Sequence, residues 1–200
     1  MADERYRVTT ATGRAELREK GSRFVARVEP AADEAAAAEG LARIQREFPD
    51  ATHHCWARRI GQPARERWAD AGEPNGTAGM PMLQVLRGAE LSDTLAVVAR
   101  WFGGTKLGKG GLARAYAGAV REALAAATTG ERLRLDRLDL ALPYARFGDL
   151  QRLVHPPEVE LGAARYGETV RCTLRVLPSR RPRVEEELAA LGIRVRSMGE

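Results

Sequence analysis

Five of the nine residues from Gly103 to Gly111 are glycine, and two others, Lys106 and Lys109, are lysine. Glycine permits positive φ and close backbone approach, so successive amide N–H groups can converge on an anion. A helix starting just beyond would add the positive end of its dipole, and either lysine would neutralise a bound phosphate. Arg100 and Arg114 flank the stretch, which contains no acid. The candidate anion- or nucleic-acid-binding set is therefore Arg100, Gly103, Gly104, Lys106, Gly108, Lys109, Gly110, Gly111 and Arg114. A tight strand-to-helix crossing that needs glycine for steric reasons accounts for the same composition.

The stretch also mimics a nucleotide-binding P-loop, because Gly103 and Gly108-Lys109 have GxxxxGK spacing. That motif continues with Ser or Thr, whose hydroxyl coordinates magnesium, and here the next residue is Gly110. A second cluster runs from Trp68 to Pro81. Its glycines, prolines and Asn75-Gly76 spell a shaped loop, with Thr77 placed to cap a helix at Pro81. Asp70 and Glu73 fit an acid–base pair or a metal site, and equally fit helix capping or pairing with arginine. His53 and Cys55 share one face of an expected strand and His54 takes the other. They lack the further ligands of a zinc site, and nothing in the spacing brings thiol and imidazole into contact as a nucleophilic pair needs. These spacings identify no catalytic residue, no metal site and no cofactor.

The elements that must position these residues follow from periodicity. Tyr6 to Val8 and Ala15 to Leu17 are expected to form a hairpin around Thr12-Gly13, and Phe24, Ala26 and Val28 alternate as a strand ending at Pro30. Asp33-Glu34 opens an alanine-rich helix reaching Phe48, with Leu41, Ile44 and Phe48 on one face. Strands are expected at Thr52 to Ile60, Arg65 to Trp68 and Thr94 to Phe102, with a helix through Leu83 and Leu86. Leu112, Ala115, Tyr116, Ala119, Val120, Ala123 and Leu124 recur at helical spacing, and that helix is expected to end near Thr128-Thr129-Gly130. The rest alternates strand, short helix, strand, strand, helix, strand: Leu133–Leu142, Arg146–Val154, Val159–Tyr166, Thr169–Leu177, Arg183–Leu191 and Ile193–Arg196. This βαββαβ order describes a ferredoxin-like sandwich. The expected organisation is α+β in two domains, residues 1–130 and 131–200.

Two hundred residues with 44% hydrophobic and 30% charged content fit a globular protein and exclude disorder over most of the chain. No apolar run approaches the roughly 18 residues of a membrane span. The start, Met1 to Arg5, lacks the basic and apolar stretches of a secretory signal, so the expected location is the cytoplasm. Cys55 and Cys172 fit no disulfide framework. The net charge of +5 comes almost wholly from arginine, with only Lys20, Lys106 and Lys109 as lysines. Arginine grips phosphate through parallel hydrogen bonds, so RNA, DNA or nucleotide partners fit, as does the residue usage of a GC-rich genome. A secondary basic surface is expected at Arg171, Arg175, Arg180, Arg181 and Arg183, a run without an acid.

Four blocks of this sequence together resemble the IMPACT/YigZ family. They are Ser22-Arg23-Phe24, Ala51 to Cys55, Asp70 to Gly79, and Arg100 to Tyr116, in order within residues 15–127. Ala71 departs from the pattern, since members usually carry a second aspartate there. The tail resembles the small ferredoxin-like domain that bacterial members append. The resemblance implies a first domain with the β-α fold of elongation factor G domain four and of a small-subunit ribosomal protein, and a second domain similar to domain five. Eukaryotic relatives regulate translation by competing for an activator of an initiation-factor kinase. Bacteria lack that kinase pathway, so this partner is not carried over, and the family supplies no agreed catalytic residues.

The leading expectation is a non-enzymatic, translation-associated regulatory protein that binds RNA or the ribosome through the glycine-rich loop. Asp70, Glu73 and Thr77 form a second candidate loop. The alternatives are a regulator that contacts a protein partner without nucleic acid, or a protein that binds or hydrolyses GTP or ATP. The sequence leaves the oligomeric state open.

Overall fold

The computed structural model describes residues 4–196; Met1 to Asp3, part of the start read as carrying no secretory signal, lie outside them. The chain divides into two compact units, Tyr6–Arg132 and a second in which Glu4 and Arg5 join the residues from Leu133 onward.

The first unit is built on a five-stranded antiparallel sheet. Its strands are β2 (Gly13–Glu19), β3 (Ser22–Pro30), β4 (His53–Ile60), β5 (Arg65–Ala69) and β7 (Thr94–Trp101), in the spatial order β2-β3-β7-β4-β5. The central strand β7 is buried from Thr94 to Arg100 because helices cover both faces of the sheet. One face packs on α2 (Gly79–Gly88) and α3 (Gly108–Ala125) through Phe24, Cys55, Val98, Met82, Leu86 and Tyr116. The other packs on α1 (Glu34–Glu47), whose Ala37 and Ile44 meet Leu95 and Val97. Asp33 caps α1 by accepting from the Ala36 amide at 2.8 Å. A smaller sheet orders β6 (Leu91–Ser92), β1 (Arg5–Ala11) and β8 (Thr128–Leu133) as β6-β1-β8.

Three local expectations are corrected. The hairpin around Thr12-Gly13 does not form: β1 pairs in parallel with β6, while β2 turns into β3 through Lys20-Gly21. Both turn residues have positive φ, 46° and 80°, the backbone of a tight two-residue hairpin. Thr128-Thr129-Gly130 does not end the helix, because α3 stops at Ala125 and these residues enter β8. Thr77 does not cap α2: its hydroxyl donates to the Pro74 carbonyl at 2.6 Å, and Asp70 Oδ1 accepts the Ala78 and Gly79 amides at 2.9 Å each.

The second unit runs β9 (Asp136–Leu142), a 3-10 turn at Tyr144–Arg146, α4 (Phe147–Gln151), β10 (Val159–Arg165), β11 (Val170–Val176), α5 (Arg181–Ala190) and β12 (Arg194–Arg196). The antiparallel sheet has the order β10-β11-β9-β12. One face holds Leu138, Leu140, Leu142, Cys172 and Leu174 against Leu150, Val184 and Leu188 of the two helices. The strand alternation read from the sequence is the burial pattern of β9 and β11. No helix among the described residues is long and apolar enough to cross a membrane.

Candidate functional site

One end of the five-stranded sheet collects residues far apart in sequence. Register places Arg100 opposite both Phe24 and His53, so the end of β7 lies between the starts of β3 and β4. Alternation on β4 sends the Cys55 side chain into the core and leaves the neighbouring Trp56 half-buried on the other face. The loop from Asp70 to Ala78 closes over this end. Asp70 shapes it, since Oδ2 accepts the Gly76 amide at 2.8 Å while Oδ1 caps α2. Ala71 and Gly72 have φ of 47° and 92°, and the Ala71 carbonyl lies 2.9 Å from His53 Nδ1.

The centre is a buried ion pair between Arg100 and Glu73, whose side chains are 5% and 3% exposed. Tyr116 donates its hydroxyl to Glu73 Oε1 at 2.7 Å, and Ser22 Oγ lies 3.2 Å from Arg100 Nη2. His53 Nε2 stands 3.9 Å from Glu73. The guanidinium also lies over the rings of Phe24 and Phe102, at 5.3 and 5.7 Å from their centroids. Arg100 Nε is buried without a hydrogen-bond partner. Cys55 Sγ lies 2.8 Å from the Asp70 carbonyl and 3.3 Å from the Tyr116 hydroxyl. Burial pushes the Cys55 thiol up to about 12, with the Glu73 charge adding to the shift. It is therefore a thiol at neutral pH rather than a nucleophilic thiolate. Burial raises Tyr116 as well, with the neighbouring Cys55 and Glu73 adding to it, and this hydroxyl stays protonated as a donor.

Beside the ion pair is a cleft of about 340 Å³, lined by Glu73, Pro74, Arg100, Phe102, Lys106, Leu107, Gly108, Lys109 and Leu112. Lys106 and Lys109 are exposed and meet no acid among the described residues. The helix α3 begins at Gly108, inside the stretch read as a loop, so Lys109, Gly110 and Gly111 form its first turn. Among the described residues no side chain caps that turn, whose N-cap is Leu107, which leaves amide N–H groups without intrahelical partners.

Of the residues singled out from the sequence, Arg100, Lys106, Gly108, Lys109 and Glu73 share this cleft. Gly103 stands apart with a packing role: a Cβ there would fall 1.9 Å from the Gly21 carbonyl carbon. Gly104 has φ +86° and open space around it, and a Cβ on Gly110 would lie 3.3 Å from Arg114 Nη1. Asp70 and Thr77 hold backbone and do not line the cleft. Arg100 is a buried partner of Glu73 rather than a free surface cation. The spacing missed Tyr116, read only as one apolar residue of a helix face; a hydroxyl on that otherwise apolar stripe was the available signal.

The secondary basic run is largely neutralised in space. Arg175 pairs with Glu160 at 2.7 Å, Arg180 with Glu158 at 3.1 Å, Arg181 with Glu185 at 2.8 Å and Arg183 with Glu187 at 2.9 Å. Arg171 alone of the five has no acidic partner among the described residues. A run without acids in sequence thus acquires them from β10, from the turn before it and from the next turn of α5. Among the described residues, no three of His, Cys, Asp and Glu come together to hold a metal ion.

Fold and site together define a two-unit α+β protein whose first unit gathers a lysine-flanked cleft at one end of its sheet. Residues 20–124 match the model of the Impact N-terminal domain. The chain is 37% identical over 166 residues to the IMPACT family member YvyE of Bacillus subtilis, covering 82% of this chain and 76% of that protein. It is 38% identical over 138 residues to YigZ of Escherichia coli, covering 68% of each. A crystal structure of a hypothetical protein matches with a TM-score of 0.78 at 28% identity, covering 99% of this chain and 100% of that one. The chain belongs to the IMPACT family.

Proposed function

We propose that this chain is a translation-associated regulatory protein that binds RNA on the ribosome through the cleft beside α3. Phosphate oxygens are held there by Lys106, Lys109 and the free amides of the first turn of α3. The observation that carries this reading is the convergence, on one 340 Å³ cleft, of two unpaired lysines and an uncapped glycine-rich helix start. The translational setting comes from family resemblance, which also suggests likeness of the two units to domains four and five of elongation factor G. In this reading Glu73, Tyr116 and Ser22 position Arg100, which forms the cleft wall.

The test is sedimentation with ribosomes at low and moderate salt, comparing the native chain with the Lys106→Ala/Lys109→Ala variant. Expected is co-migration that weakens steeply with salt, because each neutralised phosphate releases counterions. The double variant then loses most of that co-migration. Equal co-migration by the folded variant removes the cleft from the mechanism. Binding that survives nuclease treatment unchanged favours a protein partner instead.

A further inference from the structure

The outer face of the β10-β11-β9-β12 sheet carries a row of cations that no sequence run reveals. Arg165 on β10 stands opposite Arg171 on β11, Arg171 opposite Ala141 on β9, and Ala141 opposite Arg194 on β12. Residues directly opposite on adjacent strands point to the same face. All three arginines are exposed, while Leu140, Leu142, Val170 and Cys172 point into the core. With strands about 4.8 Å apart the row spans roughly 14 Å.

Like charges directly opposite each other destabilise a sheet, and two strands on this face avoid that cost elsewhere. Arg175 stands opposite Arg137, but Arg175 pairs with Glu160 at 2.7 Å and Arg137 with Asp139 at 2.8 Å. Arg165, Arg171 and Arg194 have no acid among the described residues. One row is therefore left uncompensated in a sheet that neutralises its neighbour.

Aromatic rings stand at the same end. Tyr166 follows Arg165 directly, and Tyr144 follows where β9 leaves the sheet at Leu142. They are 64% and 70% exposed, their ring centroids lie 6.4 Å apart, and Tyr166 also meets Phe147 of α4 edge-to-face at 5.6 Å. Tyr166 shares a cleft of about 370 Å³ with Arg165, Gly167, Glu168, Thr169 and Arg171, so two cations and one acid line it. Cations that follow a backbone, next to exposed aromatic faces on which bases stack, are the two parts of a single-strand binding platform. We propose that this row and the adjoining turn between β10 and β11 bind a single-stranded polynucleotide, its phosphates on Arg165, Arg171 and Arg194 and a base against Tyr166 at the end of the sheet. This site is separate from the cleft beside α3 and stands or falls without it.

The test is fluorescence anisotropy of a labelled 12-nucleotide oligouridine with the full chain. An oligodeoxythymidine of equal length separates RNA from DNA as the source of this chemistry, and an RNA duplex is the third probe. Arg165→Ala/Arg171→Ala is expected to weaken binding at least tenfold and to flatten the salt slope by about 1.4, for two phosphate contacts at about 0.7 each. Tyr166→Ala is expected to weaken it about tenfold. Arg175→Ala, which removes a cation already paired with Glu160, changes affinity less than twofold. Lys106→Ala/Lys109→Ala retains this binding even where it abolishes ribosome co-migration. The proposal is overturned if the folded Arg165→Ala/Arg171→Ala variant binds as the native chain does, if the duplex binds as tightly as the single strand, or if the native chain binds neither oligonucleotide at low salt.

Discussion

Glu73 illustrates how one side chain serves several neighbours. Its carboxylate takes the Arg100 guanidinium and the Tyr116 hydroxyl, and the side chain is 3% exposed. Removing one partner of a buried pair leaves an uncompensated charge, so Glu73→Ala is expected to destabilise the first unit by roughly 3–5 kcal/mol. A fall in urea midpoint of less than about 1 kcal/mol equivalent would show that Arg100 finds water or another acceptor. Arg100 and Glu73 were both visible as candidate chemistry in the sequence, but with separate roles. Their pairing across 27 residues was not legible, because it depends on the loop folding back over the end of β7.

At the scale of elements, the glycine-rich stretch separates into two functions. Gly103 lets the strand end lie against the Lys20-Gly21 turn, while Gly108 to Gly111 open α3. A methyl group at 103 would overlap the Gly21 backbone, so Gly103→Ala is expected to cost about 1–3 kcal/mol or more. Gly110→Ala meets only the movable end of Arg114, and Ala is the better helix former by roughly 0.5–1 kcal/mol. Thermal melts of the two variants should therefore move in opposite directions. A shared direction would mean that the turn, rather than the glycine, yields at Gly103. Periodicity located the helices and the strands of the five-stranded sheet, but it missed β8, whose Thr128-Thr129-Gly130 reads as a helix end. The β1–β6 pairing joins residues some 80 positions apart, and a two-residue β6 has no period to read.

For the whole molecule, arginine sets the response to acid. Glu66 is held below its ordinary value of 4.5 by Arg87 and Arg59, Glu16 by Arg23 and Arg18, and Asp139 below 3.8 by Arg137 and Thr173. A carboxyl whose folded pKa is depressed contributes stability above its unfolded pKa and loses it as pH falls through the folded one. Urea midpoints are therefore expected to be level near neutral pH and to decline from about pH 4.5 downward. Glu66→Gln should lower the plateau and shrink the decline; an unchanged decline would mean the Glu66 pairs add nothing to stability. Glu66 is the informative site because its side chain is 23% exposed and ties β5 to both β4 and α2.

The sequence by itself determined the α+β class, the helices and strands with strong period, the family, and the lysines of the glycine-rich stretch. Hydrophobic spacing and turn chemistry are local, so they survive without a partner in view. Tertiary structure decided which charges remain free. It buried Arg100 against Glu73, neutralised four arginines of the Arg171–Arg183 run, and aligned Arg165, Arg171 and Arg194 across three strands. Charge is a property of distance in space, and sheet register brings together residues that sequence separation conceals.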